Sequence, residues 1–381
     1  MSSKGLTHVK GNAELALDTI CGKPTDGIPS WSPFVMEHSF IERLAGTPPG
    51  SYREEPEKVY VAMQKAVGAC MLDQYIPRNP LTMGPAGYEN AARGATTGAD
   101  EVLLNGMTIR SPEDVAAHME KFVFPGIRQA IASFDEETRT CDILNEERRV
   151  QEELGPDILK CCYGAIKFPY FAYSAYGYAN YFMAYALYPE VVEKHFSLAA
   201  DLALLNNRAA VRAYTDGRLP PFARLDHDMA DSRGTLADVR SLDRLWFPHF
   251  VRCLEPALKA GIRMIWHCDG NLMEMVPRLL EAGLCGFQGF QYEDGMDYEK
   301  ICRMKDREGR DLLIIGGVSV TRTLPHGTPE DVKREINWLV RCGPKTGLFL
   351  GGSSSIAPGV PWENLKAFLD GLEYYCRCGR N

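Results

Sequence analysis

The sequence predicts a single α/β domain folded as a (β/α)8 barrel, with a helical extension at the N-terminus and an inserted hairpin. Three observations lead to this class. The chain has 381 residues, enough to bury one large core. Its C-terminal half alternates short apolar runs with helical patterns of about 10–20 residues, which implies parallel βαβ units. Along the whole chain such apolar runs number about eight, the count of a closed barrel rather than an open sheet.

The elements follow in order. IPSW (28–31) is a weak candidate for the first strand, and AVGACMLDQYI (66–76) and ILKCCYGAIKF (158–168) are two more. Between the latter two, TTGADEVLLNGMTI (96–109) resembles an inserted hairpin. PFARLDH (221–227) is the next apolar run, followed by a helical pattern from Asp238, read as the N-cap, to about Lys259. RMIWHC (263–268) reads as a strand and LMEMVPRLLEAG (272–283) as a helix ended by glycine. CGFQGFQ (285–291), DLLIIGGVS (311–319) and GLFLGG (347–352) complete the strands, with helices from Tyr298 to Arg307, over 329–343 and over 361–375. Thr328-Pro329 starts the helix over 329–343 and a glycine closes it. No linker, low-complexity stretch or repeat interrupts the chain, so residues 1–381 read as one domain.

Composition narrows the function classes. With 45% hydrophobic and 24% charged residues, the chain is an ordinary globular protein. A net charge of −8 without a lysine or arginine block argues against a nucleic-acid partner. No run of about 18 apolar residues would span a membrane, and MSSKGLTHVKGNAELAL lacks the apolar core of a secretory signal. The expectation is a cytoplasmic protein with reduced thiols. Its twelve cysteines then act mostly as small hydrophobes, as at Cys70, Cys253, Cys285 and Cys302. Neither close pair, Cys161-Cys162 nor Cys376/Cys378, has the spacing of a zinc knuckle or redox motif.

A barrel carries its active site at the C-terminal ends of its strands. Those ends hold Asp226-His227-Asp228, His267-Cys268-Asp269, Gln291-Tyr292-Glu293, Ser319 and Ser353-Ser354-Ser355. Successive strand side chains point to opposite faces, so His267 and Asp269 share the mouth while Cys268 turns into the helix layer. Asp226 and Asp228 likewise share a face. An imidazole with carboxylates suits zinc or a similar divalent ion. The same residues suit an acid–base pair, or a strand-end histidine before a turn at Gly270-Asn271, and spacing alone leaves all three readings open.

The run from LDHDMADSRGTL through RMIWHCDGN to GGVSV, GTPEDV and SSSIAPGVPWENLKAF resembles the uroporphyrinogen decarboxylase superfamily, most specifically from about residue 160 onward. That resemblance implies a (β/α)8 barrel and either a porphyrinogen decarboxylase or a cobalamin-dependent methyltransferase. Thiol-methylating members hold zinc with a His-x-Cys and a later cysteine. The resemblance places His267 on that histidine, Asp269 on the first cysteine and Ser354 near the second. Oxygen groups in place of thiolates leave the ion a stronger Lewis acid, which suits polarising an ether oxygen. This implies the O-demethylase branch, which moves a methyl group from a methoxylated aromatic to cob(I)alamin on a corrinoid protein. Asp228 and Glu293 are the candidates to complete the metal shell, and His267, Asp269 and Asp228 the catalytic set.

The decarboxylase branch fits less well. Its N-terminal arginine motif falls here on Thr25-Asp26-Gly27-Ile28-Pro29, where glycine replaces the arginine that would clamp a poly-acidic substrate. A thiol or other methyl donor or acceptor, and a barrel that binds a ligand without catalysis, are the remaining readings. KFPYFAYSAYGYANYFMAYALYP (167–189) holds ten Phe/Tyr residues and suits a planar aromatic ligand at the mouth, or simply anchors a helix. Tyr170, Tyr173, Gln291 and Ser354 are the substrate-binding candidates. No DxHxxG, GxGxxG or P-loop motif occurs, so a corrinoid would arrive on a separate protein. The oligomeric state stays open, a homodimer included.

Overall fold

The computed structural model describes residues 11–78 and 94–380, with the backbone of two short strands, Met83–Gly84 and Gly87–Tyr88, between them. The parallel strands, in chain order, are β1 Met71–Leu72, β2 Leu159–Lys160, β3 Cys162–Tyr163, β4 Phe222–Asp226, β5 Arg263–His267, β6 Gly286–Gln288, β7 Leu313–Val318 and β8 Leu348–Gly352. Strands β3 to β8 form one curled six-stranded sheet in which chain neighbours are also spatial neighbours, and β1 pairs with β2 separately. Helices connect the parallel strands from β3 onward, as such crossovers require.

Of the expected (β/α)8 barrel the structure gives a mixed α/β fold with a curled, parallel half-barrel sheet, and a full barrel of regular ladders is not seen among the described residues. The segment expected as the first strand makes only single-residue bridges, Ser30 to Leu350 and Trp31 to Met71. Pro29 lies within it and Pro33 just after it, and proline has no N–H to extend a ladder. Its remaining groups are nevertheless used: Trp31 N–H donates to Leu350 O at 2.8 Å and Ser32 N–H to Met71 O at 2.8 Å.

Along the strands, alternation sorts the side chains into two cores. Phe222 and Ile265 join Trp31, Met71, Leu159, Leu313 and Phe349 in an inner cluster that the helix Asn12–Ile20 closes with Ala13, Ala16 and Ile20. Leu225, Trp266 and Cys268 belong to the larger cluster between sheet and helices. The expected hairpin forms between Leu103–Leu104 and Met107–Thr108, turned by Asn105-Gly106 with positive φ at both residues.

Several helices start where the sequence signals them. Asp238 accepts from Ser241 N–H at 3.0 Å, and Thr328 forms a capping box with Asp331. The pattern from Asp238 to Lys259 divides at Trp246 into Val239–Leu245 and Phe247–Lys259, because Pro248 supplies no N–H to continue the first helix. Among the described residues no helix is long and apolar enough to cross a membrane.

Candidate metal centre

The site is built where β4, β5 and β6 end. Their register pairs Asp226 with His267 and His267 with Gln288, so three polar side chains stand in one row. Two residues further along, Asp228 and Asp269 stand above that row. Backbone and side chain lock them together, since Asp269 N–H donates to Asp228 Oδ1 at 2.9 Å. A ligand atom from each of Asp228, His267 and Asp269 lies within 4.8 Å of the other two.

Those distances suit an ion better than direct hydrogen bonds. His267 Nε2 is 4.0 Å from both Asp226 Oδ1 and Asp269 Oδ1, too far for a hydrogen bond. Two ligand atoms held about 2.0–2.2 Å from a tetrahedral zinc face each other at roughly 3.3–3.6 Å. Asp269 Oδ1 is buried with no partner among the described residues, an oxygen that lacks a proton donor or cation. Its other oxygen accepts from Ser354 Oγ at 3.3 Å. Burial pushes the Asp269 carboxyl above its ordinary value, and Asp228 and Asp226 add to this, while His267 and Ser354 oppose it. One imidazole and two carboxylates are a donor set for zinc or a similar divalent ion.

Steric enclosure orients the imidazole. A Cβ on Gly289 would stand 2.7 Å from His267 Nδ1, and Gly289 has a φ of +86°. His267 Nδ1 is buried and has no partner among the described residues. The following turn is equally tight: Gly270 takes a φ of +87° against the Asp231 backbone, and its N–H donates to Gln291 Oε1 at 2.6 Å.

Beneath the row lies an ion-pair network. Arg224, 3% exposed, donates from Nε to Asp73 Oδ2 at 2.6 Å, from Nη1 to Asp226 Oδ2 at 2.8 Å and from Nη2 to Gln74 Oε1 at 3.1 Å. Trp31 Nε1–H donates to Asp73 Oδ1 at 2.9 Å and Tyr163 O–H to Asp226 Oδ2 at 2.8 Å. Burial alone would raise the Asp73 carboxyl, but the Arg224 charge and hydrogen bonds win and hold it below the usual range. Asp226 is thereby fixed beside His267.

The aromatic segment braces the back of the β4 tip. His227 turns outward, accepts Phe171 N–H on Nε2 at 2.9 Å and stacks on Tyr173 with ring centres 5.6 Å apart. Burial pushes its pKa down to about 4. Tyr173 O–H donates to Asp228 O at 3.0 Å. Tyr170, 37% exposed, meets His227 edge-on at 5.1 Å, while Phe171 and Tyr181 are buried in the core.

The structure thus gathers His267, Asp269 and Asp228, with Ser354, Gln291 and Tyr173 holding them. Glu293 is placed apart from this trio, accepting from Ser319 Oγ at 2.7 Å and from Thr321. Asp73, Arg224, Trp31 and Gln74 are additions that sequence reading missed. For Asp73 and Arg224 the one signal was a charge inside an apolar strand run, as in MLDQ and FARLD.

Residues 226–375 match the family described as Uroporphyrinogen decarboxylase (URO-D). The fold resembles a methyltransferase from Methanosarcina mazei, with a TM-score of 0.59 and 17% identity over 96% of this chain and 99% of that one. A B12-independent methionine synthase from Shewanella sp. W3-18-1, in complex with selenomethionine, aligns at a TM-score of 0.40 and 12% identity over 61% of this chain and 65% of that one. No curated protein matches the chain.

Proposed function

We propose that this protein is a corrinoid-dependent methyltransferase. It takes the methyl group of a methoxylated aromatic compound and passes it to cob(I)alamin on a separate corrinoid protein. The observation that carries the reading is the convergence of Asp228, His267 and Asp269, three nitrogen and oxygen donors, at the strand tips. The URO-D match over residues 226–375 and the fold resemblance to a methyltransferase support it. In this reading a zinc or similar divalent ion is held by His267, Asp269 and Asp228, with Glu293 as a further candidate whose Oε2 is buried without a partner among the described residues. When bound, the ion supplies Lewis acidity to an ether oxygen.

The chain's own residues position the reactants. Ser354 and the Asp269 N–H hold the two carboxylates, Gln291 holds the turn that presents Asp269, and Gly289 leaves room for the imidazole. Tyr170 offers a part-exposed ring to a planar substrate, and Tyr173 fixes Asp228 from behind. The bridges of Ser30 and Trp31 support reading the strands as a closed barrel in one domain, with the site at its mouth. We place the protein in the cytoplasm.

The test is a panel of methyl donors offered to zinc-loaded protein with free cob(I)alamin, followed by methylcobalamin absorbance. Methoxylated aromatics are expected to give turnover, and methylated thiols and amines none. Turnover only with a thiol or amine donor would move the protein to another methyltransferase class. Methylcobalamin from no donor would count against the reading altogether.

A further inference from the structure

At the opposite end of the sheet from the candidate metal centre, Cys70 Sγ and Cys376 Sγ are in contact at 3.5 Å, although 306 residues separate them in sequence. Cys70 is fully buried immediately before β1, and Cys376 is half-buried in the last turn of the helix Trp362–Cys378. Cys376 lines a surface cavity of about 470 Å3 and Cys70 does not, so Cys376 is the member of the pair on the solvent side.

Three features hold the two thiols together. Ile28 N–H donates to Tyr375 O at 2.9 Å, and Gly27 packs so closely that a Cβ there would lie 2.1 Å from Cys376 O. On the other side, Cys70 N–H donates to Ser30 Oγ at 3.2 Å, and Ser30 Oγ–H donates back to Cys70 Sγ at 3.5 Å. The remaining contacts of the sulfurs are long: Cys70 Sγ to Gly68 O at 3.9 Å and Cys376 Sγ to Asn12 Oδ1 at 3.6 Å. The hydrogen bond between the sulfurs, helped by Ser30, outweighs burial and lowers the Cys70 thiol below its ordinary value, while the same bond and burial raise the Cys376 thiol, so the shared proton rests on Cys376.

We propose that Cys70 and Cys376 are a reversible thiol–disulfide pair, reduced at rest and closed by a small external disulfide, which staples the final helix to β1. Cys376 Sγ, on the cavity side of the pair, passes its proton to Cys70 Sγ as it attacks one sulfur of the external disulfide, breaks its S–S bond and expels one thiolate. Cys70 then attacks Cys376 Sγ in the mixed disulfide, forming the internal bond and expelling the second thiolate. Two protein thiols are oxidised, one external disulfide is reduced to two thiols, and the two protein protons go to the leaving thiolates. The inference does not rest on the metal reading.

The test treats native protein carrying Cys21→Ser, Cys141→Ser and Cys378→Ser, which removes the three exposed thiols, with 2-hydroxyethyl disulfide, followed by a non-reducing peptide map. A Cys70–Cys376 linked peptide is expected, with the oxidised form melting several degrees above the reduced one. Adding Cys376→Ser should abolish the link, and Gly27→Ala, by displacing the helix end, should slow it about tenfold or more. A stable 2-hydroxyethyl adduct on Cys376 without a link to Cys70, or no reaction, overturns the proposal. A link that forms at the same rate in the Gly27→Ala protein overturns the positioning argued here.

Discussion

A Cβ on Gly289 would stand 2.7 Å from His267 Nδ1 and 2.9 Å from its Cε1, so the central imidazole of the site rests against a residue that has no side chain. The neighbouring strand β6 ends there because Gly289 adopts a φ of +86°. Strand termination and imidazole orientation are therefore one feature.

Gly289→Ala tests that link. The positive φ and the clash should cost about 1–3 kcal/mol of stability. Displacement of His267 should weaken metal binding about tenfold or more. Urea unfolding and a metal titration read the two effects separately. Lost stability with unchanged metal affinity would show that Gly289 does not set the imidazole.

Arg224→Met removes the cation from between two carboxylates. Asp73 and Asp226 then lose their counter-charge and keep only the neutral donors Trp31 and Tyr163, and the loss should be about 3–5 kcal/mol in denaturant unfolding. Adding Asp73→Asn should recover part of it. A loss below about 1 kcal/mol in the single variant would mean that the network is freely solvated.

Asp73 also predicts an acid limb. Its folded value lies below the ordinary one, so its stabilisation is complete above the unfolded value of about 4 and is lost as pH falls through the lower folded value. Melting temperature should fall with pH below about 4, and Asp73→Asn should flatten that fall while lowering stability at neutral pH. An unchanged acid slope in the variant would place the acid sensitivity elsewhere.

Ser354 has one contact that matters to the site, its 3.3 Å hydrogen bond to Asp269 Oδ2. Ser354→Ala should weaken metal binding about tenfold, the usual effect of losing a group that orients a ligand. Asp269→Asn, which replaces a proposed ligand oxygen, should weaken it far more. Equal effects would make Ser354 a ligand in its own right.

How much of this was legible depends on whether the information is local. His267, Cys268 and Asp269 could be sorted by strand alternation alone, and Cys268 does lie in the outer core. Asp228 followed from the same rule two residues after Asp226. The caps at Asp238 and Thr328 were equally local. Arg224 and Asp73 were not legible as partners, because 151 residues separate them and only the fold brings them together. The thiol pair Cys70–Cys376 is hidden for the same reason. The strand expected at 28–31 shrank to bridges because Pro29 within it and Pro33 just after it remove donors from the ladder, a local fact that the apolar pattern masked.

The central claim is that Asp228, His267 and Asp269 hold a metal ion, and its direct test is metal content of purified protein, wild type against His267→Ala with Asp269→Ala. About one zinc or similar divalent ion per chain in the wild type and none in the double variant is the predicted result. No metal in either after metal-supplemented growth, or equal metal in both, would contradict it.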